Sequence, residues 1–134
     1  MPDSYSVECD CKQVRITMTG EPRVRGFCHC EDCRDLLKIP YHAVTAWNPD
    51  QVEIDRGDDA LSFYQHPALD MKRAYCRHCG ETLFNTNAMD WKIVSQNLVR
   101  KCYGGELPKA LQSQSHFFYD RRIVDIEDDL PKHA

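Results

Sequence analysis

Residues 73–80 read RAYCRHCG, and this stretch decides where the chain must fold back on itself. Arg73, Ala74 and Tyr75 continue a strand-like run, and Cys76-x-x-Cys79 then curls the chain around a position where two thiols share one ion. Gly80 follows where such a turn needs a positive φ, as the amides swing toward the thiolates. Two ligands do not close a structural zinc site, which takes four. Upstream, Cys9-x-Cys11 offers two more: at i and i+2 on an extended chain their side chains point to one face. Joined, the pairs make a Cys₄ site from Cys9, Cys11, Cys76 and Cys79 that ties the chain start to its middle. A redox dithiol is the competing reading of either pair, but that motif belongs beside a βαβ pattern, and none is evident.

Between the pairs lies GFCHCEDCRD, residues 26–35, with Cys28, Cys30 and Cys33 spaced C-x-C-x-x-C. Catalytic zinc typically has three protein ligands and one exchangeable position, so the count suggests an open site. A closed site is the alternative, completed by Cys102, His29, His42, His78 or His116. Seven of the eight cysteines fall in these clusters and only Cys102 stands alone. Dispersed cysteines closing long loops would suit a disulfide framework; this clustering suits metal.

The wider composition bounds the answer. A chain of 134 residues, read as one domain over 1–134, can bury a core. Its 17 basic and 21 acidic residues give a net charge of −4, which offers no footprint for nucleic acid or an anionic membrane. No run of about 18 apolar residues is present, so no transmembrane helix is expected. The start, MPDSYSVECD, lacks the basic and apolar regions of a secretory signal, and the expected location is cytoplasmic.

Strand-like runs dominate: one or two within SVECDCKQVRITMTG, then VRGFC, HAVTAW, QVEID, LSFYQ, RAYC, WKIVSQNLV, HFFY and RIVDI. Turn signals separate them at Asn48-Pro49-Asp50, Gly57-Asp58-Asp59, His66-Pro67 and Gly104-Gly105. One helix is expected, EDCRDLLKI (31–39), stopped by Pro40. The pattern predicts a mostly β domain.

The order C-x-C, C-x-C-x-x-C, then Arg-x-aromatic-C-x-x-C-G resembles the glutathione-dependent formaldehyde-activating enzyme family, which includes the centromere-protein-V-like proteins. The ending HFFYDRRIVDIEDDLPKH (116–133) resembles that family's close, a His before a short strand and an acidic stretch before Leu-Pro. The resemblance implies a mostly β, Mss4-like sandwich or tent with one short helix and zinc-binding loops. It implies two Zn²⁺ ions, a structural one on Cys9, Cys11, Cys76 and Cys79 and a catalytic one on Cys28, Cys30 and Cys33. The implied activity is a carbon–sulfur lyase joining a glutathione thiol to a small aldehyde, as in S-(hydroxymethyl)glutathione. Two segments depart from the family pattern, RDLLKIPYHAV after the triplet and IVSQNLV after the C-x-x-C, and both bear on substrate identity.

The chemistry needs a proton donor for the nascent alkoxide, with His29, His42 and His116 as candidates and His116 taken as the catalytic one. Seven thiolates and two zinc ions add −7 + 4 = −3, moving the chain from −4 to about −7, so basic residues must offset the field around an anionic thiol. Arg34 and Arg73, with Arg25 and Lys38, flank the clusters as candidate glutathione-binding groups, or as neutralisers of the thiolates. Partners are then a small-molecule thiol and an aldehyde adduct. Two other readings compete: a non-catalytic zinc module binding a protein, and a thiol reductase of the methionine sulfoxide reductase type using Cys102.

Overall fold

Strands β1 (Ser4–Glu8) and β2 (Arg15–Thr19) alternate along their length, turning Tyr5, Val7, Ile16 and Met18 inward. Their antiparallel register sets Val7 opposite Ile16 and Tyr5 opposite Met18, and β5 (Val52–Arg56) completes a three-stranded sheet in the order β1-β2-β5. The computed structural model describes residues 3–134 and gathers the remaining strands into a second sheet. In chain order these are β3 (Val24–Cys28), β4 (His42–Trp47), β6 (Leu61–Gln65), β7 (Lys72–Cys76), β8 (Thr82–Thr86), β9 (Lys92–Ser95) and β10 (Ser115–Phe117). Their order across the sheet is β10-β3-β4-β9-β8-β7-β6, antiparallel throughout except for the parallel β10–β3 pair.

One apolar cluster joins both sheets, with Val7, Val14, Ile16 and Met18 packed among Trp47, Leu83, Val94 and Leu111. Trp47 Nε1 within it donates to Thr45 Oγ1 at 2.9 Å, and that hydroxyl donates to the Val94 carbonyl at 2.9 Å, whereas both side-chain polar atoms of buried Asn85 lack a partner among the described residues. The result is the expected mostly β, sandwich-like fold. Among the described residues, no helix is long and apolar enough to cross a membrane.

Among the described residues two α-helices form, where the sequence suggests one. Helix α1 (Glu31–Leu37) stops before the expected Ile39. Lys38 turns left-handed there, with φ 58°, and returns its N–H to the Arg34 carbonyl at 2.8 Å. Such a left-handed residue is a common way to end a helix. The run WKIVSQNLV is not one strand: β9 ends at Ser95, whose side chain caps α2 (Gln96–Cys102) by accepting the Asn97 N–H at 3.1 Å. Leu98 and Val99 enter the core from α2, and Gln96 is held inside by Val44 and Ser113. Strand β8 escapes the period-2 reading because Leu83, Phe84 and Asn85 are buried in succession in the sheet interior. RIVDI forms no strand; Arg122 pairs Asp125 at 2.6 Å and Ile123 is exposed.

Gly26 on β3 faces β10 closely. A Cβ there would collide with the Ser115 carbonyl oxygen and meet the Phe117 ring at 2.7 Å. Gly26→Ala is therefore expected to cost about 2 kcal/mol or more of stability by forcing β10 off β3. Urea unfolding at fixed zinc concentration checks this, and an unchanged midpoint would contradict the tight seam.

Candidate functional site

The first cysteine cluster joins a turn of one sheet to a turn of the other. Cys9 and Cys11 lie in the turn between β1 and β2, shaped by Lys12 at φ 64°; Cys76 ends β7 and Cys79 lies in the turn to β8. Gly80 has the expected positive φ, 81°. All four Sγ atoms lie within 4.8 Å of one another, with Cys9–Cys11 at 3.7 Å and Cys11–Cys76 at 3.6 Å. Tetrahedral zinc with Zn–S of about 2.3 Å separates its sulfurs by about 3.8 Å, so the set fits such an ion. Lys101 of α2 clamps the two turns together, bonding Asp10 at 2.7 Å and the Glu81 carboxylate, which also accepts the Asp10 N–H at 2.7 Å. Cys102 stands beside this cluster, with its Sγ accepting the Glu8 N–H at 3.4 Å.

The second cluster is built from a strand end and a helix start. Cys28 ends β3, Cys30 caps α1 by accepting the Cys33 N–H on its Sγ at 3.3 Å, and Cys33 lies in the first turn. Cys28 is 3.3 Å from Cys30 and 3.7 Å from Cys33, sulfur to sulfur. Among the described residues, no fourth His, Cys, Asp or Glu ligand atom lies within 4.8 Å of all three. Cys102 and the four histidines weighed as closers thus do not complete it. Three thiols in this spacing fit a zinc ion with one position left for an outside donor.

His29 and His116 are fully buried and bonded to each other, Nε2 to Nδ1 at 2.9 Å, with His116 Nε2 on Asp128 Oδ2 at 2.8 Å. The ionised carboxylate only accepts, so His116 carries its proton on Nε2 and its Nδ1 accepts the hydrogen bond from His29 Nε2–H. That leaves His29 Nδ1 bare, buried and without a partner among the described residues. Lys132 first, then His116, holds the Asp128 carboxyl down at about 2. Burial and then His116 push His29 below its ordinary value, which favours the neutral ring this chain requires. The ending of the chain serves this network: His116 N–H donates to Pro131 O at 2.8 Å and His133 N–H donates back to His116 O at 2.9 Å.

A cavity of about 500 Å³ opens beside the triplet, with Cys28, Cys30 and Cys33 in its wall. Its floor is a cross-strand row, Val24–Ala46–Ile93, and Met71, Trp91 and Phe117 face in around it. The polar lining is Asp32, Asp70 and Asn87. Asn87 Oδ1 accepts the N–H groups of Met89 and Trp91 at 3.1 Å each, shaping the loop that carries both into the wall. No spacing motif in the sequence marks Asp70, Asn87 or Met89.

Neither His116, Arg34 nor Arg73 lines the cavity. Arg34 fastens the triplet's loop, donating to the His29 carbonyl at 3.3 Å and to the Arg121 carbonyl at 2.9 Å. Arg73 continues the floor row two strands beyond Ile93, through Asn85, with its guanidinium about the rings of Tyr64 and Tyr75. His42 pairs with Cys28 across β3 and β4, buried, its Nδ1 unpartnered among the described residues.

Fold and thiol geometry define a β-sandwich with two cysteine clusters able to hold metal, one complete and one open to a cavity. Residues 4–121 match the family described as glutathione-dependent formaldehyde-activating enzyme, and the chain belongs to that family. A curated Schizosaccharomyces pombe protein named an uncharacterized lyase is 29% identical over 86 residues, 63% of this chain. The matched region spans 58% of that relative's length. A crystal structure of a Rhodobacter sphaeroides protein shares the fold, with a TM-score of 0.51 and 22% identity, covering 77% of this chain and 97% of that one.

Burial pushes His42 down to about 4. Folded His42 is therefore neutral, while the unfolded ring protonates at about 6.5. The unfolded state then binds more protons on acidification, and this contribution to stability falls as pH drops below about 6.5. Between about pH 7 and about pH 5.5 the wild type should lose about 1 kcal/mol relative to His42→Phe. Paired urea titrations at the two pH values measure it; parallel losses in both proteins would refute it.

Proposed function

We propose that this chain is a zinc-dependent carbon–sulfur lyase of the formaldehyde-activating type, making and breaking the bond between a small-molecule thiol and a carbonyl carbon. The observation that carries this reading is the Cys28–Cys30–Cys33 triplet, one ligand short of four and set in the wall of a cavity. A zinc ion there supplies an exchangeable position that takes an incoming thiol as its thiolate. On this reading Cys9, Cys11, Cys76 and Cys79 hold a second, structural zinc. The thiol is glutathione, as the family description has it, or a chemically related one, and the expected location is the cytoplasm.

The reaction balances without a redox partner. A sulfur–carbon bond forms, the carbonyl π pair moves to oxygen, and the thiol proton ends on that oxygen; the reverse path is the lyase direction. Among the described residues, Asp32 and Asp70 are the only carboxylates that line the cavity, and no histidine does. The apolar floor and walls offer a substrate carbon few polar competitors, though Met89 and Phe118 at the rim are open to solvent. His116 works through His29 as a positioning residue, and Arg34 does the same from the helix side. Both fix the peptide that joins Cys28 to Cys30.

Metal analysis and adduct turnover test this together. The wild type should carry two zinc ions, and Cys33→Ser one, with turnover of a thiol–aldehyde adduct down more than about a hundredfold and the fold retained. Cys79→Ser should lose the other ion and melt much earlier. Two retained ions and full turnover in Cys33→Ser would sink the proposal. For His116→Gln, zinc at the triplet should bind about tenfold more weakly while the Cys₄ cluster keeps its ion; equal weakening at both clusters would assign His116 to the fold alone.

A further inference from the structure

The cavity's chemistry does not match the ends of glutathione. That tripeptide carries two carboxylates and an ammonium, and such charges are buried only when paired. Among the described residues, no Lys or Arg lines the cavity. The four cations that flank the clusters in sequence lie outside the cavity lining, and of these Arg73 alone has a buried Nε without a hydrogen-bond partner among the described residues. Arg25 donates to the carbonyls of Lys109 and Ala110, and Arg34 to those of His29 and Arg121. Lys38 pairs Asp35 at 2.8 Å, and Arg73 packs about Tyr64 and Tyr75 beyond the floor. The lining instead holds Asp32 and Asp70 beside three thiolates, which with a divalent ion leave a net charge of about −1. Apart from a thiolate taken by the metal itself, an anion entering this space meets like charge, and the nearest cation on its wall is Arg23, stacked outside on the Trp91 ring at 4.7 Å.

Size points the same way. The cavity volume is about 500 Å³. Pockets of roughly this order enclose most of the surface of a drug-sized organic ligand. Formaldehyde, with a single carbon, leaves most of such a space empty. Two wall residues leave apolar surface open to solvent, Met89 at 62% and Phe118 at 53% exposure. Met71 and Met89 are thioethers that adapt to varied shapes.

Resting on the lyase reading above, we infer that the adduct this chain handles carries an uncharged apolar group, aryl or branched alkyl, that fills the cavity beside the triplet. The charged ends of any thiol such as glutathione stay outside. The group is attached to the carbonyl carbon or to the thiol, and the bond made and broken is the same sulfur–carbon bond.

Trp91 reports on occupancy directly, because it lines the cavity and the only other tryptophan, Trp47, is fully buried. Titration of the zinc-loaded full chain followed by tryptophan fluorescence, with Trp91→Phe as the blank, compares phenylmethanethiol, benzyl alcohol and glutathione. Phenylmethanethiol should bind at least tenfold more tightly than glutathione, and benzyl alcohol should still quench Trp91. Met89→Asp should weaken phenylmethanethiol fivefold or more and leave glutathione unchanged. In turnover, the glutathione adduct of benzaldehyde should exceed that of formaldehyde tenfold in kcat/KM if the apolar group sits on the carbonyl. A preference confined to the phenylmethanethiol adducts assigns it to the thiol.

Glutathione and its formaldehyde adduct equalling every apolar counterpart would overturn the inference and leave the lyase standing. A tenfold loss of glutathione affinity in Arg73→Leu would do the same, by giving the tripeptide a cation in the floor row. No adduct turnover with any pair, and no thiol bound, would remove the lyase reading and this inference with it.

Discussion

The sulfur cluster of Cys9, Cys11, Cys76 and Cys79 is the constraint on which the rest of the structure depends. Its first pair belongs to the turn of the three-stranded sheet and its second to a turn of the seven-stranded sheet, so a metal ion held there would staple the two sheets together. Apolar packing alone also joins the sheets, but it is non-directional and tolerates sliding. Four sulfurs bound to one metal ion would not. Lys101 adds a charged clamp from α2, bonded to Asp10 between the first pair and Glu81 just after the second, so the helix is registered to the same point. Holding β7 in this way also holds the sheet whose far side carries the cavity floor.

The second cluster is held by a different device. Its ligands sit on one short stretch, and three thiols so close repel as they ionise, which favours opening of the loop unless its backbone is fixed. That restraint comes from outside the stretch. His29 N–H bonds the Phe117 carbonyl at 3.0 Å, the His29 ring is locked to His116, and His116 is locked to Asp128 on the returning C-terminal segment. Arg34 binds the same peptide from α1. A buried polar chain of this sort stabilises to the extent that its members are satisfied, and among its ring nitrogens and carboxylate His29 Nδ1 alone lacks a partner among the described residues. Here it ends on a carboxylate that Lys132 also pairs, which keeps the terminal charge in place. One cluster therefore brings four thiols together by itself. The other is braced by neighbours that leave its fourth position free.

The cysteine grouping is legible because spacing along a chain sets which thiols share a face, and that local rule survives folding. Strands β3, β4 and β6 are legible because β-branched or aromatic residues run between turn signals. Strand β8 is not, because burial on both faces removes its alternation and Asn85 interrupts its short apolar run. Helix α2 is hidden because the run from Lys92 to Val99 is apolar enough to read as extended chain until Ser95 caps the helix. The role of His116 lies beyond reach: its partners are 87 and 12 residues away, and nothing local marks them. Arg34 and Arg73 sit beside cysteines in sequence, yet proximity along the chain does not become proximity to the cavity. Their backbone and aromatic contacts are products of the fold.

Addition of a thiol to a small aldehyde is chemically easy, so what a protein adds to it lies chiefly in which adduct is held and what is kept out. An apolar wall discriminates weakly among apolar groups, about 1–3 kcal/mol per methylene. Against charged groups it discriminates strongly, because they must be stripped of water with no partner to replace it. Asp32 and Asp70 sharpen that contrast for anions, and Met71 and Met89 relax it among apolar shapes. The selectivity built into this site is therefore a selectivity for a class of adduct, uncharged and apolar, with the thiol triplet supplying the single fixed point around which members of that class are aligned.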